Sequence, residues 1–336
     1  MRLLERSWYE PASWSPLLRP LSWLFEHLAT RRRYRYLSNP EKQWKAPVPV
    51  VVVGNISVGG TGKTPLVIAL IALYRSQGFK PGVVSRGYGG KAPYYPFHVT
   101  ENSSPAESGD EPLLIVRQTA VPLVVDPDRV AAAKSLLAQT DCDIIISDDG
   151  LQHYRLGRDI EIAVIDGQRG LGNQRCLPEG PLREPVSRLQ QVDMVVVNNG
   201  QQQRWPDDFM MDIVPTSLRH LRSGVISSIE SWRAGQECRV HAVAGIGNPA
   251  RFFDTLKGIG LKPVEHPFPD HHQYRPQDIE FNDALPVIMT EKDAVKFQTQ
   301  LPDDCWALQV EAGLSRAFEE QLIQLTQRVN LQNRTR

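Results

Sequence analysis

A run of β-branched residues stops at a glycine-rich loop, and the loop opens an apolar, helix-compatible segment. Val48 to Leu70 reads VPVVVVGNISVGGTGKTPLVIAL. Few folds accommodate that succession. The strand is apolar on both faces and so belongs inside a covered sheet. The loop brings backbone N–H groups together at a helix N-terminus, where they converge on phosphate oxygens. Ser57, Val58, Gly59, Gly60, Thr61 and Gly62 then line the cradle, Lys63 reaches the β- and γ-phosphates, and the Thr64 hydroxyl ligates Mg2+. The pattern G-x-x-x-x-G-K-[ST] is met with one departure. Ser57 holds its first glycine position, and Gly59, Gly60 and Gly62 supply the flexibility. Nucleotide phosphate binding is the prediction.

The 336 residues allow two domains or one large one. Hydrophobic residues at 41% and charged residues at 23% suit a globular core rather than disorder. The net charge of zero argues against a nucleic-acid partner. Cys142, Cys176, Cys238 and Cys305 form no C-x-x-C pair, which fits a reducing cytosol and argues against a disulfide framework or a zinc site. No apolar run approaches the roughly 18–20 residues of a membrane span. Glu5 and Glu10 stand where a signal peptide needs an apolar stretch.

Residues 1–46 carry nine Lys/Arg and four Glu, and four of the chain's seven tryptophans (Trp8, Trp14, Trp23, Trp44). Leu17, Leu21, Leu24, Phe25 and Leu28 recur at helical spacing and predict one apolar face. Arg31, Arg32, Arg33 and Arg35 follow, interleaved with Tyr34 and Tyr36. Such a helix can lie in a bilayer interface with its cations on anionic head groups. It can equally pack on the protein's own core, its arginines complementing the helix dipole. The Arg/Tyr cluster leaves nucleic-acid binding as a third possibility.

Downstream, strands are predicted at Pro81–Ser85, Pro122–Val125, Asp143–Ser147, Ile160–Ile165 and Val192–Val197, with helices over Pro65–Gln77 and Arg129–Gln139. The alternation implies a parallel sheet covered on both faces. Arg86–Gly90 and Thr100–Gly109 read as loops, and the Gln-rich stretch Asn199–Pro206 as a surface linker. A second series follows: strands at Val240–Ala244 and Pro286–Thr290, an N-cap at Asn248 with Pro249 behind it, and a terminal helix over Leu314–Val329. The expected division is an N-terminal segment 1–46, a nucleotide-binding core 47–215 and a smaller α/β C-terminal domain 216–336.

Further motifs bear on chemistry. Asp148 and Asp149 end a buried strand, where adjacent carboxylates repel unless a cation sits between them. Asp110, with Glu111 as runner-up, can orient or deprotonate an acceptor hydroxyl; either also reads as a solvated loop acid. Arg183 lies between prolines in Gly180–Pro185, aimed at a phosphate or simply in a surface turn. His271 and His272 share a Pro-flanked loop, where an imidazole can orient a carboxylate base. Thr290–Ala294 reads as a helix cap. The guanine-reading Asn-Lys-x-Asp is absent, as is the second loop lysine of partitioning ATPases.

Taken in order, GNISVGGTGKTP (Gly54–Pro65), SRGYGG (Ser85–Gly90), GDEP (Gly109–Pro112), DDGLQH (Asp148–His153), GPLRE (Gly180–Glu184), GIGNPARFF (Gly245–Phe253), FPDHH (Phe268–His272) and MTEKDAVK (Met289–Lys296) closely resemble the tetraacyldisaccharide 4′-kinases of lipid A biosynthesis. The resemblance implies a P-loop core with a smaller α/β domain closing over the site. It implies ATP-dependent phosphorylation of an acylated glucosamine disaccharide 1-phosphate at its 4′-hydroxyl, giving lipid IVA. It implies ATP and Mg2+ as cofactors, Lys63, Asp110, His271, Arg183 and Glu184 as the catalytic set, and Thr64, Asp148 and Asp149 at the metal. Asp110 is matched to the family's proposed base and His271 to its partner. A lipid acceptor also implies that residues 1–46 bind the cytoplasmic face of the bacterial inner membrane, with no nucleic-acid or protein partner. A kinase for a small soluble substrate, or a nucleotide-switch ATPase, are the competing expectations.

Overall fold

The computed structural model describes residues 3–10, 14–199, 208–235, 238–297 and 301–334. The expected linker falls outside these residues from position 200 onward. In chain order the strands are β1 Val50–Gly54, β2 Pro81–Ser85, β3 Phe97–Val99, β4 Leu123–Val125, β5 Ile144–Asp148, β6 Ile160–Asp166 and β7 Met194–Asn198. Then come β8 Asp208–His220, β9 Ile226–Ser228, β10 Arg239–Ala244, β11 Lys262–Pro267, β12 Val287–Thr290 and β13 Cys305–Leu314. They form one 13-stranded sheet in the order β11-β10-β12-β13-β8-β7-β6-β1-β5-β2-β4-β3, with β9 on β8.

Pairing is parallel except where β13 and β9 meet β8 and where β3 meets β4. β1 lies between β5 and β6: the connection from β1 runs past β5 to β2, while the connection from β5 crosses β1 the other way to β6. The crevice at the carboxyl end of such a strand is where open α/β sheets bind ligands. Burial on both faces explains the unbroken valines: Val50, Val51, Val52 and Val53 are all buried.

Helix Lys63–Ser76 covers one face of this half through Leu66, Leu70 and Tyr74, helped by Leu113 and Ile115 of helix Asp110–Thr119. Helix Arg129–Gln139 covers the other through Val130, Ala133 and Leu136. The C-terminal half has its own cores, one around Phe252, Phe253, Leu256, Trp232 and Trp306, the other around Ile279, Val287 and Met289. The expected boundary at 215/216 falls within β8, the strand that both halves share. The terminal helix, Arg316–Arg334, returns to the first half, where Phe318 and Leu322 are buried and Thr326 Oγ1 meets Tyr74 Oη at 3.0 Å.

Two sequence expectations need adjustment. Thr100–Gly109 contains a short helix, Pro105–Ser108, closed by a Ser104/Glu107 capping box. Asn248 is the N-cap residue before helix Pro249–Gly258, but its side chain makes no capping bond.

At the N-terminus, helix Arg19–Leu37 turns Ser22 and Phe25 inward. Leu17, Leu21, Trp23, Leu24 and Leu28 face outward and are more than half exposed. Phe25 is thereby separated from the leucines with which it shared the predicted face. Arg19 bonds Glu179 at 2.9 Å and the Trp8 indole donates to Pro178 O, so the segment is tied to the loop after β6. No described helix is long and apolar enough to cross a membrane.

Candidate active site

The loop after β1 delivers Gly62 as N-cap of helix Lys63–Ser76 in the left-handed region, with φ +94°. A Cβ there would stand 2.4 Å from Asn198 Nδ2, the group that donates to Thr61 O at 3.1 Å. Only glycine meets both demands. The helix has no side-chain N-cap bond, so its first N–H groups are left for a ligand. Loop and Gly180–Glu184 stretch run together: Ser57 bridges Leu182, Val58 N donates to Pro181 O and Arg183 N to Ile56 O. That pairing aims Arg183.

Arg183 Nη1 lies 3.2 Å from both oxygens of Asp149, and Lys63 Nζ is 3.6 Å from Asp149 Oδ1. Burial alone would raise the Asp149 carboxyl, but Lys63 and Arg183 outweigh it and hold it at about 2. Asp148, one residue earlier on β5 and opposite Val53, behaves oppositely. Burial, then Glu111 and Asp149, push it to about 7. Its Oδ2 accepts from Ser85 Oγ at 3.1 Å, while Oδ1 is buried without a partner. Thr61 Oγ1, Asn55 Oδ1 and Asn198 Oδ1 are likewise buried and unpartnered around the loop. Such oxygens suit a hard cation and its water shell. No cluster of three or more His, Cys, Asp or Glu among the described residues forms a closed cage. The adjacent carboxylates of Asp148 and Asp149 fit Mg2+, which takes one or two carboxylates and completes its shell with phosphates and water.

The second group assembles across the two halves. Gly109 (φ +86°) leads into helix Asp110–Thr119, and a Cβ on it would meet Tyr88 O at 2.6 Å. Asp110 is therefore the first helical residue, where the dipole favours an anion. His271 reaches it from the loop after β11, with Nδ1 3.2 Å from Asp110 Oδ2. His271 has φ +60°, an uncommon conformation for a non-glycine residue, and its ring contacts Tyr88.

Glu111 bonds Lys292 Nζ at 2.9 Å. Burial would raise its carboxyl, but Lys292 and Lys63 lower it. Beyond the acids, Arg251 meets Asp166 at 2.6 Å and Arg169 donates to Gly247 O at 2.7 Å, joining the halves on the other side of the loop.

Two candidates stand apart. Glu184 is buried between Tyr154 Oη, Gln152 Nε2 and Arg188, and Gln152 also donates to Asn55 O. It braces the loop from behind. His272 turns to Asp278 at 3.0 Å and packs on Phe268 and Tyr274, away from Asp110. Lys296 and Arg251 were not singled out as site residues from the sequence. Both lie in stretches that carried the family resemblance, which is the signal that pointed nearest to them.

A family model described as tetraacyldisaccharide-1-P 4′-kinase matches residues 14–327. The chain belongs to the tetraacyldisaccharide 4′-kinase family. A Pseudomonas putida protein named tetraacyldisaccharide 4′-kinase is 52% identical over 317 residues, covering 94% of this chain and 93% of the relative. A Pseudomonas syringae kinase of the same name is 50% identical over 329 residues, covering 97% and 98%. The crystal structure of LpxK from Aquifex aeolicus in complex with ATP superposes with a TM-score of 0.79 at 29% identity, covering 93% of this chain and 99% of that one. Membership in this kinase family bears out the resemblance drawn from the eight motifs.

Proposed function

We propose that this member of the family transfers the γ-phosphate of ATP to the 4′-hydroxyl of a tetraacylated glucosamine disaccharide 1-phosphate, giving lipid IVA, and that Asp110 is its base. One observation carries the assignment of roles. Asp110, on one half of the molecule, takes a hydrogen bond from His271 on the other, in the crevice that also holds the phosphate-binding loop.

Phosphoryl transfer asks chiefly for positioning and charge neutralisation. The amides of residues 57–64 and Lys63 hold the ATP phosphates. Mg2+, held by Thr64 with Asp148 and Asp149, would neutralise charge on the β- and γ-oxygens. Arg183, aimed through Asp149, adds a guanidinium for the charge that develops in transfer. The contacts to Asp110 fall on Oδ2, which leaves Oδ1 to accept the proton of the acceptor hydroxyl as its oxygen attacks phosphorus. With both halves engaged, the crevice excludes water that would otherwise compete.

The N-terminal helix supports a lipid acceptor. Its outward stripe of Leu21, Leu24 and Leu28, with Leu17 in the turn before it, leads to Arg31, Arg32 and Arg35, an arrangement suited to the face of a bilayer. Beside its start lies a cleft of about 870 Å3 lined by Arg6, Arg169 and Arg175, by Arg19 paired to Glu179, and by Glu10, and its cationic excess suits an anionic head group. We assign the protein to the cytoplasmic face of the inner membrane, as a peripheral enzyme. Asp110→Asn tests the base: lipid phosphorylation should fall at least about 100-fold with ATP affinity retained. Near wild-type turnover by this variant would overturn the assignment.

A further inference from the structure

Asp110 is reached from the C-terminal half by a second group besides His271. Lys296 follows the short helix Glu291–Ala294, four residues after Lys292. Its side chain is 3% exposed, and its ammonium lies 2.8 Å from Asp293 Oδ1, 3.5 Å from Gly245 O and 3.7 Å from Asp110 Oδ2. It also sits over the Tyr274 ring at 5.2 Å.

The far side of this contact is fixed. Asp293 is fully buried, and its Oδ2 accepts from Gly245 N at 2.9 Å and from Thr290 Oγ1 at 2.7 Å. Asp293 is therefore a rigid anchor, and Lys296 spans from it to the other half. The neighbouring acid is gripped from the same segment, since Lys292 Nζ meets Glu111 Oε1 at 2.9 Å and Asp270 Oδ1 at 3.4 Å. Residues one helical turn apart thus hold the two consecutive acids of Gly109–Pro112.

The geometry points to Lys296 as a positioning residue for the base: it fixes Asp110 Oδ2 toward the C-terminal half, so that Oδ1 faces the acceptor hydroxyl. The inference rests on Asp110 being the base. A single hydrogen bond from the partly exposed His271 leaves the carboxylate free to rotate. A second contact on the same oxygen removes that freedom. Both contacts come from the C-terminal half, so the base is oriented only when that half is engaged, and ATP bound without closure finds Asp110 unaligned.

The test uses the full-length protein with ATP and the tetraacyldisaccharide 1-phosphate in mixed micelles. Lys296→Met removes the charge at similar length. Misplacing a reacting group by about 1 Å costs on the order of 100-fold, so its kcat should fall roughly 10- to 100-fold with both KM values within about threefold. Lys296→Arg should recover kcat to within about fivefold of wild type. In a His271→Ala background, Lys296→Met should cost clearly less than it does alone, because both groups act through one oxygen. If the Met variant does not fold, Lys296→Gln, neutral but able to donate to Asp293, takes its place. A folded neutral variant with wild-type kcat would overturn the proposal. So would a loss that appears in KM, or one that Lys296→Arg does not restore. A wild-type rate for Asp110→Asn would instead remove the base assignment and leave the Lys296 contact without a catalytic role.

Discussion

Replacing His271 by alanine isolates what the C-terminal half contributes to the base. The imidazole Nδ1 is 3.2 Å from Asp110 Oδ2; the ring is 23% exposed and the carboxylate 6%. A hydrogen bond to a charged group contributes about 1.5–3 kcal/mol, and the ring's partial exposure places this one near the low end, about 1.5–2 kcal/mol. If the bond is realised in the transition state, kcat falls roughly 12- to 30-fold. The fold should hardly notice. Alanine at φ +60° keeps the left-handed backbone, and the losses are the hydrogen bond to Asp110 and the contact with the Tyr88 ring, small against the stability of a chain of 336 residues. The thermal midpoint should therefore stay within about 3 °C. His271→Asn, which tolerates that backbone region and keeps a short N–H donor, should fall between wild type and alanine. Steady-state assays with the lipid acceptor give kcat, and calorimetric titration gives ATP affinity. Turnover within about twofold of wild type in a folded His271→Ala protein would refute the reasoning. So would a loss of ATP affinity as large as the loss of kcat.

Gly62→Ala puts a methyl 2.4 Å from Asn198 Nδ2 at φ +94°; ATP affinity, read by titration, should drop more than about tenfold, and retained affinity would show that the loop does not hold the phosphates. Asp148, raised to about 7 by burial and then by Glu111 and Asp149, keeps in the folded state a proton that the unfolded chain has lost above about pH 4. Without divalent cation, stability should therefore fall as pH rises from about 4 to 7, and Asp148→Asn should flatten that slope. Urea titrations in chelator at about pH 5 and pH 7 read it, and an unchanged slope in the variant contradicts it. Leu21, Leu24 and Leu28 replaced together by serine should cut binding to anionic vesicles at least about 100-fold in flotation, since each buried leucine contributes about 1.5–3 kcal/mol; unchanged flotation would remove the helix from the membrane account.

Several features of the site were legible in the sequence because the backbone dictates them. The valine run, the glycine at a left-handed N-cap and the strand-terminal acids each have a local physical cause. Contacts between distant segments were not legible. Arg183 read from its own residues as a surface turn, because its aim depends on Leu182 bridging Ser57. Glu184 came only from the family resemblance, and its burial behind the loop depends on Tyr154, Gln152 and Arg188. The helix Asp110–Thr119 was not foreseen: its Asp-Glu-Pro start looks like a turn, and its apolar face shows only once it packs on helix Lys63–Ser76 and on β3 and β4. The long β8–β13 pairing was missed as well, since β8 begins beside the Gln-rich stretch and has polar residues along its length. At the N-terminus, helical spacing grouped Phe25 with the leucines, and packing alone separated them.

The account turns on where the phosphate goes. Phosphorus NMR of the lipid recovered after incubation with ATP, Mg2+ and tetraacyldisaccharide 1-phosphate answers that directly. A new phosphomonoester on the 4′ position, formed one for one with ADP and absent with Asp110→Asn, is the predicted result. ADP and inorganic phosphate released over an unchanged lipid would contradict it.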